Sequence, residues 1–357
     1  MNVLLVIGTR PEAIKLAPVY HALRDTGEQV TTCCTGQHRE LAQTPLTLFG
    51  IEPDVWLRPK RKSGSMHSMA ADTLDGLRQV ITRAKPDWII VQGDTTSTLA
   101  GAMAGYYSGV RVAHVEAGLR SGDRFAPYPE EANRRAVAAF ADLHFAPTDS
   151  AWRHLTAEGI RANVFVTGNT VVDALEMLRS QIKPGAGRYA LVTAHRRENH
   201  AHISRICEAL ARLAEEIEVI VSVHPNPMVR LRMSAGMAGV ENVRLLEPVP
   251  YLDWLGLMAG AQVILTDSGG IQEEAPSFGV PVVVLRNVTE RPEAVEAGFA
   301  RLAGTDPERI YQAAHEMLDR GGVTGANPFG DGKAAKRIAR ILTALEMVRQ
   351  SRGLRGY

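Results

Sequence analysis

Three carboxylates stand where a parallel sheet would present them to a substrate. Asp94 follows the apolar run Trp88–Val91 in Gln92-Gly-Asp-Thr-Thr-Ser97. Glu116 closes the run Val110–Val115 in Ala113-His-Val-Glu-Ala-Gly-Leu-Arg120. Glu130, with Glu131, opens a helical stretch after the polar, proline-containing segment 121–129. Open α/β sheets build their sites at the carboxyl ends of strands. Carboxylates brought close together raise one another's proton affinity, which suits proton transfer near neutral pH. Each also has a structural reading. Asp before a helix commonly caps it, and acidic residues in a first turn are favoured by the helix dipole.

Cations and small-residue turns stand at other strand ends. Gly8-Thr-Arg-Pro-Glu12 leads a strand into a helix, with Pro11 suited to the first turn. Arg10 sits at that positive end and Lys15 about one turn further, so the pair could hold a diphosphate. The spacing is neither GxGxxG nor a Walker loop, which counts against nicotinamide and P-loop chemistry. His195 and Arg196 follow the strand Tyr189–Thr193 and would face a cleft between two halves; His224 ends the next strand. The remaining ligands and spacing that would make these histidines a metal site are missing. In Leu265-Thr-Asp-Ser-Gly-Gly-Ile-Gln-Glu-Glu-Ala275, Ser268, Gly269 and Gly270 form a turn whose N–H groups can approach phosphate, and Glu274 can accept two ribose hydroxyls. Trp254 could stack on a base or pack in the core, and Arg291 could reach a phosphate. The cluster Arg58-Pro-Lys-Arg-Lys62 reads as a solvated loop.

These residues need a frame, and the sequence supplies one. Short continuous apolar runs alternate with helical patterns, as in parallel sheets covered on both faces. Strands are expected at Val3–Ile7, Val30–Thr35, Trp88–Val91, Val110–Val115, Leu143–Ala146 and Val164–Thr167. A second series follows at Tyr189–Thr193, Val219–Val223, Val243–Leu245, Val263–Thr266 and Val280–Leu285. Lys183-Pro-Gly-Ala-Gly187 between the series reads as a linker or loop. A helix from Val171 to Gln181 precedes it, and a last helix spans about Lys333–Gln350.

With 357 residues the chain exceeds the size at which one core usually stops growing, so two doubly wound domains are expected. Its 40 Lys and Arg balance 39 Asp and Glu, which argues against a nucleic-acid partner. No apolar run is long enough for a membrane span. MNVLLVIGTRPE reads as a first strand rather than a signal peptide. Three cysteines without CxxC spacing give neither a disulfide framework nor a zinc site, and point to a reducing cytoplasm.

Taken together the motifs resemble the non-hydrolysing UDP-N-acetylglucosamine 2-epimerase family. GTRPEAIKLAP, QGDTTSTLA, HVEAGLR, PEEANRR, TGNTVVDAL, AHRREN, LTDSGGIQEEAP and TERPEAVEAG occur in the family's order over nearly the whole chain. The resemblance implies a glycosyltransferase-B-like α/β fold, two Rossmann-like domains with the active site in the cleft between them. It places the first domain at 1–168 with a returning C-terminal helix at 341–357, and the second, UDP-binding domain at 169–340. It implies reversible C2 epimerisation of UDP-GlcNAc to UDP-ManNAc without nicotinamide, metal or other cofactor. UDP would leave by anti elimination to give 2-acetamidoglucal, then add back.

By motif position the resemblance implies Asp94, Glu116, Glu130 and His195 as catalytic residues. Arg10, Lys15, Val249, Trp254, Ser268, Gly269, Gly270, Glu274 and Arg291 would contact the UDP-sugar. Gln37, His38, Glu130, Arg196 and His224 match a second UDP-GlcNAc site that activates many bacterial members, although Glu40 stands where these often carry Gln. A homodimer, a cytoplasmic location and a supply of sugar to surface polysaccharide are further family expectations. The rival readings are a hydrolysing epimerase, a sibling epimerase on a UDP-diacetamido-uronic acid, a GT-B glycosyltransferase and a non-enzymatic nucleotide-sugar binding module.

Overall fold

The structure, a computed structural model, describes residues 1–37, 39–60, 65–194, 196–224 and 226–352. The chain divides into two compact units, Met1–Met177 with Phe329–Tyr357, and Leu178–Pro328.

The first unit holds a seven-stranded parallel sheet. Its strands are β1 (Asn2–Ile7), β2 (Gln29–Cys34), β3 (Val55–Trp56), β4 (Trp88–Gln92), β5 (Arg111–Val115), β6 (Leu143–Ala146) and β7 (Val164–Val166), in the order β3-β2-β1-β4-β5-β6-β7. Between them run α1 (Arg10–Asp25), α2 (Arg39–Leu48), α3 (Met66–Ala84), α4 (Thr96–Tyr107), α5 (Glu130–Phe140) and α6 (Asp149–Ala157), and α7 (Thr170–Leu178) follows β7. Leu4, Val6, Ile89, Val91 and Val112 form one layer of the core against Leu77, Val80 and Ile81 of α3. The strand order reverses direction between β1 and β4, where doubly wound sheets open a crevice at their carboxyl ends.

The second unit repeats the plan with six parallel strands. They are β8 (Tyr189–Thr193), β9 (Glu218–Ser222), β10 (Val243–Leu246), β11 (Val263–Thr266), β12 (Val282–Val284) and β13 (Ala300–Leu302), in the order β10-β9-β8-β11-β12-β13. Its helices are α8 (Ile203–Leu213), α9 (Pro227–Gly236), α10 (Tyr251–Gly260), α11 (Gly269–Glu274), α12 (Pro292–Glu296) and α13 (Pro307–Arg320). Val192, Val219, Val221, Leu265 and Val283 pack there against Ile206 and Leu210 of α8 and Ile310 and Met317 of α13. The reversal falls between β8 and β11.

The last helix, α14 (Ala334–Ser351), returns to the first unit and packs against α1. Arg111 Nη2 donates to Glu346 Oε2 at 2.6 Å, and Thr343 Oγ1 donates to Glu28 Oε1 at 3.1 Å. Among the described residues no helix is long and apolar enough to cross a membrane.

The compact units divide at 177/178 and 328/329, beside expected bounds of 168/169 and 340/341, and α7 and the start of α14 are tied together within the first unit. Asp173 of α7 accepts the backbone N–H groups of Ala334 (3.1 Å) and Ala335 (2.8 Å), and Asn169 N–H donates to Phe329 O at 2.7 Å. The segment 183–187 is a loop, one of its two expected readings, and it lies within the second unit. Gly185 N–H donates to Gly256 O of α10 at 2.8 Å, and a Cβ on Gly256 would lie 2.5 Å from Lys183 O, so it is the glycine of α10 that lets the two backbones approach.

Candidate active site

The first unit brings four predicted residues to the strand ends around its reversal point. Thr9 adopts an extended conformation before α1 and Pro11 occupies its first turn, which leaves Arg10 half-buried at the helix start. Lys15, one turn on, is only 5 % exposed. A buried ammonium needs a partner, and its Nζ donates to Glu116 Oε2. That oxygen also accepts from Gln92 Nε2 at 3.0 Å and Asn169 Nδ2 at 3.4 Å. Glu116 follows β5 with φ of 65°, a left-handed conformation that non-glycine residues rarely adopt and that recurs where function holds a side chain in place. Lys15, expected at a diphosphate, is paired here with a carboxylate.

The alternative of Asp94 as a helix cap is decided by its neighbour. Thr95 is the N-cap of α4: its hydroxyl accepts Thr98 N–H at 3.2 Å, and Thr98 Oγ1 accepts Thr95 N–H at 3.2 Å. Asp94 stands one residue earlier with its carboxylate free of that duty. Arg134 Nη2 donates to Asp94 Oδ2 at 2.5 Å, while Asn133 Nδ2 holds the Asp94 carbonyl at 2.8 Å. Arg134 also lies 3.3 Å from Glu131, which is fully buried and accepts Ser121 N–H and Arg135 Nε, each at 3.1 Å. Of the two acids opening α5, Glu131 therefore carries the packing, and Glu130 is half-buried.

Below this row lies His114 of β5. Its Nε2–H donates to Gly93 O at 2.8 Å, directly before Asp94. Burial pushes His114 down to about 3, and the adjacent His144 of β6 down to about 4, so both rings are neutral at pH 7. Gln37 Oε1 accepts Ser97 Oγ–H at 2.7 Å.

In the second unit, Ser268 precedes α11, a six-residue helix continued by a 3-10 turn over Ala275–Phe278. A Cβ on Gly269 would lie 2.4 Å from the Arg291 guanidinium, so any side chain here would have to displace that group. Arg291 is not aimed at open space. Its Nε donates to Glu273 Oε1 at 2.7 Å and its Nη1 lies 2.7 Å from Glu290 Oε1. Glu290 also binds Arg286 at 2.8 Å and lies 3.7 Å from Arg196. Glu274 Oε1 accepts the Tyr251 hydroxyl at 2.6 Å. Asp267, fully buried, accepts Arg196 N–H at 2.9 Å and Asn199 Nδ2 at 3.0 Å, which fixes the chain after β8. Trp254 is buried within α10, Val249 is half-buried just before that helix, and His224 Nδ1 accepts Asn226 N–H at 3.1 Å. His38 and His195 lie outside the described residues.

Sequence reasoning passed over Glu12, Gln92, His114, Asn133, Arg134 and Asn169. The available signal was a polar residue within or closing a buried apolar run, as Gln92 closes β4 and His114 stands next to the end of β5.

Comparison with known proteins then bears on the whole chain. A family model described as UDP-N-acetylglucosamine 2-epimerase matches residues 21–343. The UDP-N-acetylglucosamine 2-epimerase of Escherichia coli (strain K12) is 43 % identical over 369 residues, covering 96 % of this chain and 98 % of that protein. A crystal structure of the UDP-GlcNAc 2-epimerase from Neisseria meningitidis bound to UDP-GlcNAc superposes with a TM-score of 0.89 at 39 % identity, over 96 % of this chain and 100 % of that one. The Methanocaldococcus jannaschii UDP-GlcNAc 2-epimerase in complex with UDP-GlcNAc and UDP gives a TM-score of 0.86 at 36 % identity, with 96 % and 100 % covered.

Proposed function

The chain belongs to the UDP-N-acetylglucosamine 2-epimerase family, and on that premise we propose that it interconverts UDP-GlcNAc and UDP-ManNAc without hydrolysing them. A carboxylate takes the proton from C2, its C–H electron pair forms the C1=C2 double bond of 2-acetamidoglucal, and the C1–O bond breaks with its pair leaving on UDP. In the return step UDP oxygen attacks C1 and C2 is protonated on its other face, so atoms and charge balance and no cofactor is needed.

Asp94, Glu116 and Glu130 supply the proton-transfer groups, with His195 beside the diphosphate. The observation that carries this reading is that Asp94 and Glu116, ending adjacent strands, are each held by a buried cation, Arg134 and Lys15, and neither caps a helix. A carboxylate so held is oriented before substrate arrives, the condition for efficient general acid–base work. Arg10 and the second unit's Val249, Trp254, Ser268, Gly269, Gly270, Glu274 and Arg291 take the UDP moiety. Lys15, paired with Glu116, contacts the UDP-sugar beside Arg10.

Gln37, His38, Glu130, Arg196 and His224 form a second UDP-GlcNAc site that activates the enzyme. The protein works as a cytoplasmic homodimer that supplies ManNAc-type sugar for surface polysaccharide. The test is proton NMR of the purified protein with UDP-GlcNAc in D2O. UDP-ManNAc carrying deuterium at C2, with no accumulation of free UDP, is the expected result. Free ManNAc with UDP would place the chain among hydrolysing epimerases, and no change would point to a different UDP-sugar or to a transferase lacking its acceptor.

A further inference from the structure

Glu12 lies in the first turn of α1, where an acidic residue ordinarily serves the helix dipole from the surface. Here it is 2 % exposed. Its Oε2 accepts Gly8 N–H, and its Oε1 accepts Thr9 Oγ1–H at 3.1 Å. The same Oε1 accepts Thr95 Oγ1–H at 2.6 Å, from a residue 83 positions along the chain. Thr95 is the N-cap of α4 and directly follows Asp94; Thr9 directly precedes Arg10. One carboxylate thus joins the β1–α1 turn to the β4–α4 turn. The two turns also touch: a Cβ on Gly8 would lie 2.2 Å from Ser97 Oγ in the first turn of α4.

We infer that Glu12 is a positioning residue, which fixes the Asp94 turn against the Arg10 turn through Thr95. This rests on the reading of Asp94 as a proton-transfer group. A surface helix-start glutamate would need no distant partner, and a buried carboxylate costs stability unless its hydrogen bonds repay it. All three partners are donors, so the arrangement fits the ionised carboxylate. Burial nonetheless pushes Glu12 up to about 7, with Asp94 the charged group facing it from the other turn and Gly8, Thr9 and Thr95 neutral. A proton on Glu12 would compete with the Thr95 hydroxyl for Oε1 and loosen the tie.

The experiment measures kcat, KM and the pH profile with UDP-GlcNAc for E12Q, T95V, T95S and D94N, with folding followed by circular dichroism and thermal melting. E12Q keeps an oxygen for the two threonines but turns an amide N–H₂ toward Gly8 N–H. T95V removes the hydroxyl that reaches Glu12 together with the cap it gives Thr98 N–H, so its effect is read beside that of E12Q, which leaves the cap in place. Misplacing a reacting group by about an ångström costs up to about 100-fold. We expect folded T95V to lose at least about tenfold in kcat with KM changed less than about threefold, and T95S to recover most of it. The acid limb near pH 7 should shift in E12Q. If D94N is inactive while folded E12Q and T95V keep the kcat and pH profile of the parent, the inference about Glu12 is overturned and the reading of Asp94 stands. If D94N turns over normally, both fall.

Discussion

Lys15 and Glu116 are 101 positions apart in sequence and form a buried ion pair, and the carboxylate oxygen that takes the ammonium is the one that Gln92 and Asn169 also reach. The pair is made possible by strand order. β1 lies beside β4 and β4 beside β5, so the helix after β1 can reach the residue that ends β5.

Removing the cation from this pair should be costly twice over. Lys15→Met leaves a charge buried without its partner, a change worth about 3–5 kcal/mol of destabilisation. We expect a melting temperature several degrees lower and kcat reduced at least about 100-fold, measured by calorimetry and by UDP-GlcNAc turnover. A variant with unchanged stability and turnover would show that the pair does not orient Glu116.

Arg134 separates charge from geometry. Lysine at this position keeps the positive charge but lacks the fork that serves Asp94 and Glu131 together. Arg134→Lys should fold, bind UDP with unchanged affinity by titration calorimetry, and lose about tenfold or more in kcat. Equal loss of UDP affinity and kcat would mean that the arginine acts on the nucleotide.

Stability against pH follows from four buried groups. Burial lowers His114 from 6.5 to about 3 and His144 from 6.5 to about 4, so each contributes stability above pH 6.5 that is lost as pH falls. Burial raises Glu12 from 4.5 to about 7 and Asp173 from 3.8 to about 6, so each contributes stability that is present at low pH and lost as pH rises through the folded value. Between about pH 5 and 6 the two histidines and the two carboxylates oppose each other, and the unfolding free energy should be nearly flat. Below about pH 4.5 the carboxylates titrate in the unfolded chain too, and stability should fall steeply. His144→Gln unbalances the set by one proton. Its stability should rise by up to about 1.4 kcal/mol as pH is lowered one unit from 6, relative to the parent. Urea denaturation at a series of pH values reads both slopes, and identical slopes in the two proteins would count against burial of a neutral His144.

Asp173 offers a separable test of the fold. Its two oxygens take the first N–H groups of α14. Asp173→Ala should cost about 1–2 kcal/mol, as other lost caps do. Amide exchange should quicken first in α14, before it quickens in the second unit's sheet. Uniform quickening across the chain would mean that the contact does not anchor this helix in particular.

How much of this was legible in the sequence depends on the distance over which each feature is defined. Continuous runs such as Leu143–Ala146 and Val263–Thr266 declare buried strands on their own, and Asp94 and Glu116 were found because they end such runs. β3 and β13 have two and three residues, too few for any periodicity. Glu12 was invisible because its partner Thr95 belongs to a different turn, and a glutamate at a helix start already has a sufficient local reason. Gly185 carries the signature of a flexible connector, whereas its role is to meet Gly256, which no local pattern announces. The pairing of Arg291 with Glu273 and Glu290 was not legible beside its expected reach to a phosphate, because nothing local tells a salt bridge from a ligand contact.

The return of α14 to the first unit has a consequence for how the molecule is made. Domains generally fold in the order in which they are synthesised. Here the second unit is one uninterrupted stretch, whereas the first waits for residues that are translated after it. Ile338 and Leu342 of α14, both fully buried, belong to the half that was begun first. A nascent chain therefore completes its later half while its earlier half still exposes the surface that α14 will cover. A premature stop beyond residue 328 would spare the C-terminal unit and cripple the N-terminal one, which carries Asp94 and Glu116.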